Sequence, residues 1–406
     1  MTSVVTSIVG GIESVEQRAD TLRALGARDD AVRELLAYGA SGFDPDALDH
    51  DAHTYPLPDE PFVDAWERYA EQARAEGAVP VLRRHLIQLR FPVERGTGGR
   101  DDYLAATRRG IMPAAGACEE SAFRDPVGIS IALHPTPAGR LPVVFTTARA
   151  DFELLIRALT RRNEPEPIPP SMGACIVGGY NNWGRVRELR DEWARRRATL
   201  GACTDDAAWG EEFQRIVPRR ELYQDRFVVL SAGPYSGTRA AELGRGHQEW
   251  RELSLVIRLE HECAHYFTRR VFGSMRNSLL DELIADFTGI VAAAGRFEPG
   301  WLLRFMGVEG GTFRNEGRLV NYRGSPPLSD AAWPVLQEMV RRAAATLARF
   351  DVLVRGGEAG RSVRTPAEVA RAITVIASAG LERLTEPDAA DAMYARYAGA
   401  PASITS

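Results

Sequence analysis

The chain has 406 residues, room for two or three domains, and its 45% hydrophobic and 26% charged content excludes wholesale disorder. A formal net charge of -5 gives no general attraction to nucleic acid or to an anionic membrane. All 50 basic positions are arginine, which excludes a Schiff-base lysine, a pyridoxal phosphate anchor and a Walker-type phosphate-binding lysine.

The first residues, "MTSVVTSIVGGIESVEQR", lack the basic start and long apolar run of a signal peptide, and no stretch approaches a membrane span. With four widely spaced cysteines and no C-x-x-C pair, the expectation is a cytoplasmic, soluble protein. Residues 12–40 place Val15, Leu22, Leu25, Val32, Leu35 and Leu36 at helical spacing. The Pro- and Asp-rich stretch 43–61 reads as a surface loop, and 62–77 as a helix. "HLIQLRFPV" (85–93) has the apolar content of a strand. "GISIALHP" and "LPVVFTTA", joined by "TPAGR", predict a hairpin over 128–148, and 151–162 predicts a helix with Asp151 near its start. Prolines confine 164–173 to a loop. An Arg-rich helix follows over 183–197, with Asn181-Asn182 placed to cap it. "RFVVLSAGPYSG" (226–237) reads as a strand ending in a turn, and 247–271 as one continuous helix. Helices are expected again over 278–294, ending near Gly295, and over 331–350 and 366–380. The fold class is α-rich α+β with a small central sheet: a mostly helical 1–125, a core over 126–300, and a helical 301–406.

"HECAHYF" (261–267) holds the pattern H-E-x-x-H. Positions i and i+4 share a helix face, so His261 and His265 can direct both imidazoles at one metal ion. Glu262 is placed to act as general base on a water at that ion. A catalytic zinc site needs a third protein ligand and an open position. The extended motif that would supply a third histidine fails, because Thr268 and Val271 stand where Gly and His are required, and no H-x-x-E-H occurs. A glutamate from the following helix remains, and "DELIAD" offers Glu282 with Asp286 four residues on.

On these residues the chain resembles the gluzincins, the thermolysin-like zinc metallopeptidases with H-E-x-x-H followed by E-x-x-x-D. The resemblance implies a zincin-like core of a small sheet and two metal-binding helices. It makes Glu282 the third zinc ligand and Asp286 the carboxylate that hydrogen-bonds the first histidine. It also implies an edge strand upstream of the motif helix that binds extended substrate, the place of "RFVVLSAGPYS". Two features depart from the pattern: 16 residues separate His265 from Glu282, and no histidine follows His265 to donate to an oxyanion. Tyr322 and Arg323, in the loop "LVNYRGSPP", are the candidate substitutes. "GACIVGGYNNWGR" and "HECAHYFTRRVFGSMRN" further resemble a bacterial H-E-x-x-H family of uncharacterised activity.

Other candidates have plainer readings. His247 starts a helix, Cys263 is expected as a buried thiol, and the arginine runs read as solvated faces with carboxylate or phosphate binding as the alternative. His50 and His53 share an acidic loop where a second metal site is conceivable. The leading expectation is a Zn2+-dependent, metallopeptidase-like hydrolase acting on a peptide or amide substrate. The alternatives are a zinc enzyme that tailors a small molecule, and a non-catalytic zincin-like binding protein.

Overall fold

A computed structural model describes residues 15–40, 54–111, 123–273, 279–357 and 364–399. His50, His53 and Cys118 lie outside the described residues. In chain order, α1 (Val15–Ala24), α2 (Asp29–Tyr38), α3 (Val63–Glu76), α4 (Ala78–His85) and α5 (Asp101–Arg109) precede the hairpin β1 (Ile129–His134) and β2 (Leu141–Thr146). Then come α6 (Arg149–Thr160), β3 (Ala174–Asn181), α7 (Trp183–Thr199), α8 (Asp206–Ile216), β4 (Gln224–Ser231) and α9 (His247–Phe272). The remainder is helical: α10 (Leu279–Ala294), α11 (Pro299–Met306), α12 (Trp333–Arg355), α13 (Pro366–Arg383) and α14 (Ala389–Ala398). The α-rich α+β class is what the structure has. Among the described residues no helix is long and apolar enough to cross a membrane.

Contacts group the chain into two compact units, one of residues 51–271 with 364–370, the other of 1–50, 272–363 and 371–406. The first contains the sheet, in the order β1-β2-β4-β3. β1 and β2 form the expected antiparallel hairpin, β2 runs parallel to β4, and β3 is antiparallel to β4. β4 is thus an inner strand, and the expectation that 226–237 forms a substrate-binding edge is corrected. Its residues 227–231 are all buried, as suits a strand paired on both sides. β3 takes the edge instead. Its register shifts between Gly178 and Tyr180, where Gly179 holds φ +72°, a left-handed conformation that glycine adopts at no steric cost.

α3, α4 and α6 pack on this sheet through Trp66, Phe152, Leu155, Phe227 and Val229, with the Trp66 and Phe227 rings 4.6 Å apart. The stretch 85–93 is not a strand: α4 runs to His85 and a 3-10 turn spans Ile87–Arg90. Leu86, Leu89 and Phe91 are buried from that turn, and the Ile87 amide donates to Tyr180 Oη at 3.0 Å. A short apolar run says only that it is buried, not by which element. A polar knot lies at the start of α7. Buried Asp225 accepts from Trp66 Nε1 (2.9 Å), Asn182 Nδ2 (2.7 Å) and Arg185 (2.6 Å). Asn182 also caps α7, accepting from the Gly184 and Arg185 amides.

In the second unit, Phe287 of α10 packs near Phe297 and Phe350, and Phe350 against Tyr397 of α14. Buried Asp351 accepts from the Phe297 amide (3.0 Å) and pairs with Arg355 (2.9 Å). Residues early and late in the sequence meet here: Arg18 pairs with Glu382 at 2.7 Å, and Thr21 donates to Glu386 at 2.7 Å.

Candidate metal centre

α9 is 26 residues long and is fastened within its unit at several turns. Trp250 Nε1 donates to the Thr238 carbonyl at 2.7 Å, and Ser254 Oγ accepts from the Tyr235 amide at 2.9 Å. Arg258, 4% exposed, spreads its guanidinium over the carbonyls of Ser231, Gly233 and Pro234 at 2.8–3.2 Å. Tyr266 donates to Glu60 at 2.8 Å, and Arg270 donates to the Ala138 carbonyl. The motif sits between these anchors, so its side chains project from a helix fixed on both sides.

His261 Nδ1 lies 2.9 Å from the Tyr235 hydroxyl, which leaves Nε2 as the nitrogen turned toward His265. The two Nε2 atoms are 3.1 Å apart, with the rings 86° to one another. Two nitrogens bound tetrahedrally to one zinc at 2.0–2.1 Å stand about 3.3 Å apart. The pair therefore has the spacing of two ligands to one ion. Glu262 acts on neighbours from the sheet. The Cys175 thiol of β3 is pushed up to about 12 by burial and by the Glu262 charge. Arg258 is lowered to about 10 by burial, which Tyr235 and Glu262 oppose.

Glu282 and Asp286 belong to the other unit, both buried on α10. Arg318 pairs with Asp286 and has NH1 3.9 Å from Glu282 Oε2. The Tyr322 phenol is raised far above its ordinary range by burial and by the Glu282 charge, and it donates a hydrogen bond to Glu282. Tyr38 donates to the Tyr322 carbonyl at 2.6 Å and is raised by burial and by the same carboxylate. Of the two candidate oxyanion donors, Tyr322 is thus brought to Glu282. Arg323 is engaged in its own loop, donating to the Leu328 carbonyl (2.9 Å), pairing with Asp330 (2.6 Å) and lying 5.4 Å over the Trp333 ring. Tyr235, Arg258, Arg318 and Tyr38 carry no motif and went unread in the sequence.

A second group able to hold a metal ion lies wholly within the first unit. Ligand atoms of His134, Glu260 and Cys263 are all within 4.8 Å of one another. His134 Nε2 and Glu260 Oε1 form a pair at 2.8 Å. Cys263 is the buried thiol expected, 2% exposed and held well above its ordinary value by burial and by Glu260 and Glu262. His247 is exposed at the first residue of α9, as a helix start would place it.

A family profile described as a family of unknown function (DUF7005) matches residues 20–388, and the chain belongs to that family. No curated protein and no solved structure matches the chain. The family carries no assigned activity, so the likeness to gluzincins rests on the motif residues alone.

Proposed function

We propose that this DUF7005 member is a zinc-dependent hydrolase of amide bonds, with His261, His265 and Glu282 as ligands and Glu262 as general base. The observation that carries the reading is the 3.1 Å approach of two histidine Nε2 atoms on one turn of α9, with Nδ1 of His261 held by Tyr235. The donor set suits zinc, since two imidazoles and one carboxylate are a recurrent catalytic combination that leaves a position open. Glu282 enters as the third ligand through the E-x-x-x-D pattern that follows the histidine motif in the sequence. Bound there, zinc supplies Lewis acidity, which brings the pKa of a coordinated water to about 7 and polarises a carbonyl.

The chain's own groups do the rest. Glu262 takes a proton from the attacking water and returns it to the departing amine nitrogen. Tyr322, protonated throughout the working range, turns its single O–H from Glu282 to the oxygen on which negative charge develops. Arg318, bound to Asp286 beside Glu282, steadies that glutamate on α10. Tyr235 stands at His261 Nδ1, the place the resemblance gave to Asp286, while Asp286 pairs with Arg318.

Metal analysis of purified protein, with turnover of a peptide library followed by mass spectrometry, tests the proposal. Glu262→Gln is expected to retain about one zinc per chain and to lose hydrolysis by a factor of about 10² to 10⁴. His265→Ala is expected to lose the metal. Wild-type protein that takes up no zinc after dialysis against it, or a Glu262→Gln variant that hydrolyses peptides at the wild-type rate, overturns the assignment.

A further inference from the structure

A cavity that shares no residue with the metal centre lies where α5, α7 and α8 meet, and its volume is about 420 Å³. That is the size of a site for one small molecule. α7 contributes Trp183, Arg187 and Arg190, at i, i+4 and i+7 on one helix face. The end of α5 adds Arg108 and Arg109, and α8 adds Trp209 and Phe213.

The walls are held in place. Trp183 Nε1 donates to the Thr107 carbonyl at 2.9 Å. A side chain at Gly110 would stand 2.6 Å from the same indole, so the backbone approach itself shapes the cavity. Arg190 is committed, paired with Asp206 and lying 5.9 Å over the Trp209 ring. By contrast, no ion pair is made by Arg108, Arg109 or Arg187 among the described residues. The cavity therefore joins an aromatic wall to three guanidinium groups that stand outside any ion pair among the described residues.

We propose that this cavity binds a phosphate monoester of a planar heteroaromatic group, the chemistry of a nucleoside monophosphate. Three guanidinium groups on one cavity match a dianion better than a single carboxylate, and each offers paired donors to phosphate oxygens. In a chain with no lysine, arginine is also the side chain left for this task. Trp183, Trp209 and Phe213 supply the apolar contact that a ring system fills. A half-open cavity of this size, in a chain of net charge -5, suits one small ligand better than a nucleic-acid strand.

Calorimetry at low salt with AMP, inorganic phosphate and adenosine tests the assignment on the full chain. AMP should bind, and phosphate and adenosine should each bind about tenfold more weakly or worse. The double variant Arg109→Ala/Arg187→Ala alters two exposed side chains, so its circular dichroism should match wild type while AMP affinity falls by about tenfold or more. Arg196→Ala, an exposed change farther along α7, should bind AMP as wild type does. No heat from AMP, adenosine binding as tightly as AMP, equal affinity for phosphate and AMP, or an undiminished double variant overturns the proposal. So does an oligonucleotide that outcompetes AMP at this cavity.

Discussion

Tyr235 and His261 stand 26 residues apart in sequence and 2.9 Å apart in space. When Nδ1–H donates to that hydroxyl, the imidazole keeps its Nε2 lone pair for a metal. Tyr235→Phe is expected to weaken zinc binding by about 10- to 100-fold, read by competition with a chromogenic chelator; unchanged affinity would remove the tyrosine from the centre. His85 supports a prediction of a different kind. Stacked 3.6 Å from Tyr69, it is lowered to about 4 by burial and by the charges of Arg84, Arg187, Arg68 and Arg90. Unfolded histidine takes its proton near pH 6.5. Between about 6.5 and 4 the unfolded chain therefore binds a proton that the folded chain refuses. Stability from this residue is complete above that window and is lost as pH falls through it. Urea midpoints measured across that range should fall less steeply for His85→Phe than for wild type. The approach of His261 to His265 was legible because a helix turns a spacing of four into a shared face. Tyr235, Tyr38 and Arg318 were not, because loop closure brings them to their partners and local spacing does not.

α7 begins at a buried ion pair. Arg185 is 6% exposed and Asp225 not at all, so Asp225→Asn strands a guanidinium without its counter-charge. The expected cost is about 3–5 kcal/mol, measured by urea denaturation, and a loss below about 1 kcal/mol would mean that water reaches the arginine. The helices over 151–162, 183–197, 247–271 and 278–294 and the hairpin were all readable from their periodicities, as was the cap at Asn182. β3 was not recognised as a strand, because Gly178-Gly179 interrupts its alternation. β4 was recognised, but its inner position between β2 and β3 was not, since an apolar strand looks the same at the edge of a sheet as inside it unless one face is polar.

At the scale of the whole molecule, residues near both ends share one unit. Glu382 is 2% exposed and Arg18 supplies its counter-charge from 364 residues away. Arg18→Ala is expected to cost about 2 kcal/mol in a chemical denaturation experiment, below the fully buried case because Arg18 is partly in solvent. Rescue by Arg18→Ala/Glu382→Gln would confirm that the loss is electrostatic; equal loss in the double variant would point to packing. A sequence read in consecutive stretches does not register such pairing, because nothing local to "VEQRAD" announces a partner in α13.

The parallel pairing of β2 with β4 also sets a timetable for synthesis. β2 ends at Thr146, and its inner neighbour begins at Gln224. At roughly 5–20 residues per second, translation of the intervening chain takes roughly 4–15 s. Through that interval the nascent hairpin carries an apolar strand with one open hydrogen-bonding edge, the condition that favours intermolecular strand pairing. A chain terminated before Gln224 is therefore expected to accumulate in the insoluble fraction, and one extended through β4 to stay out of it.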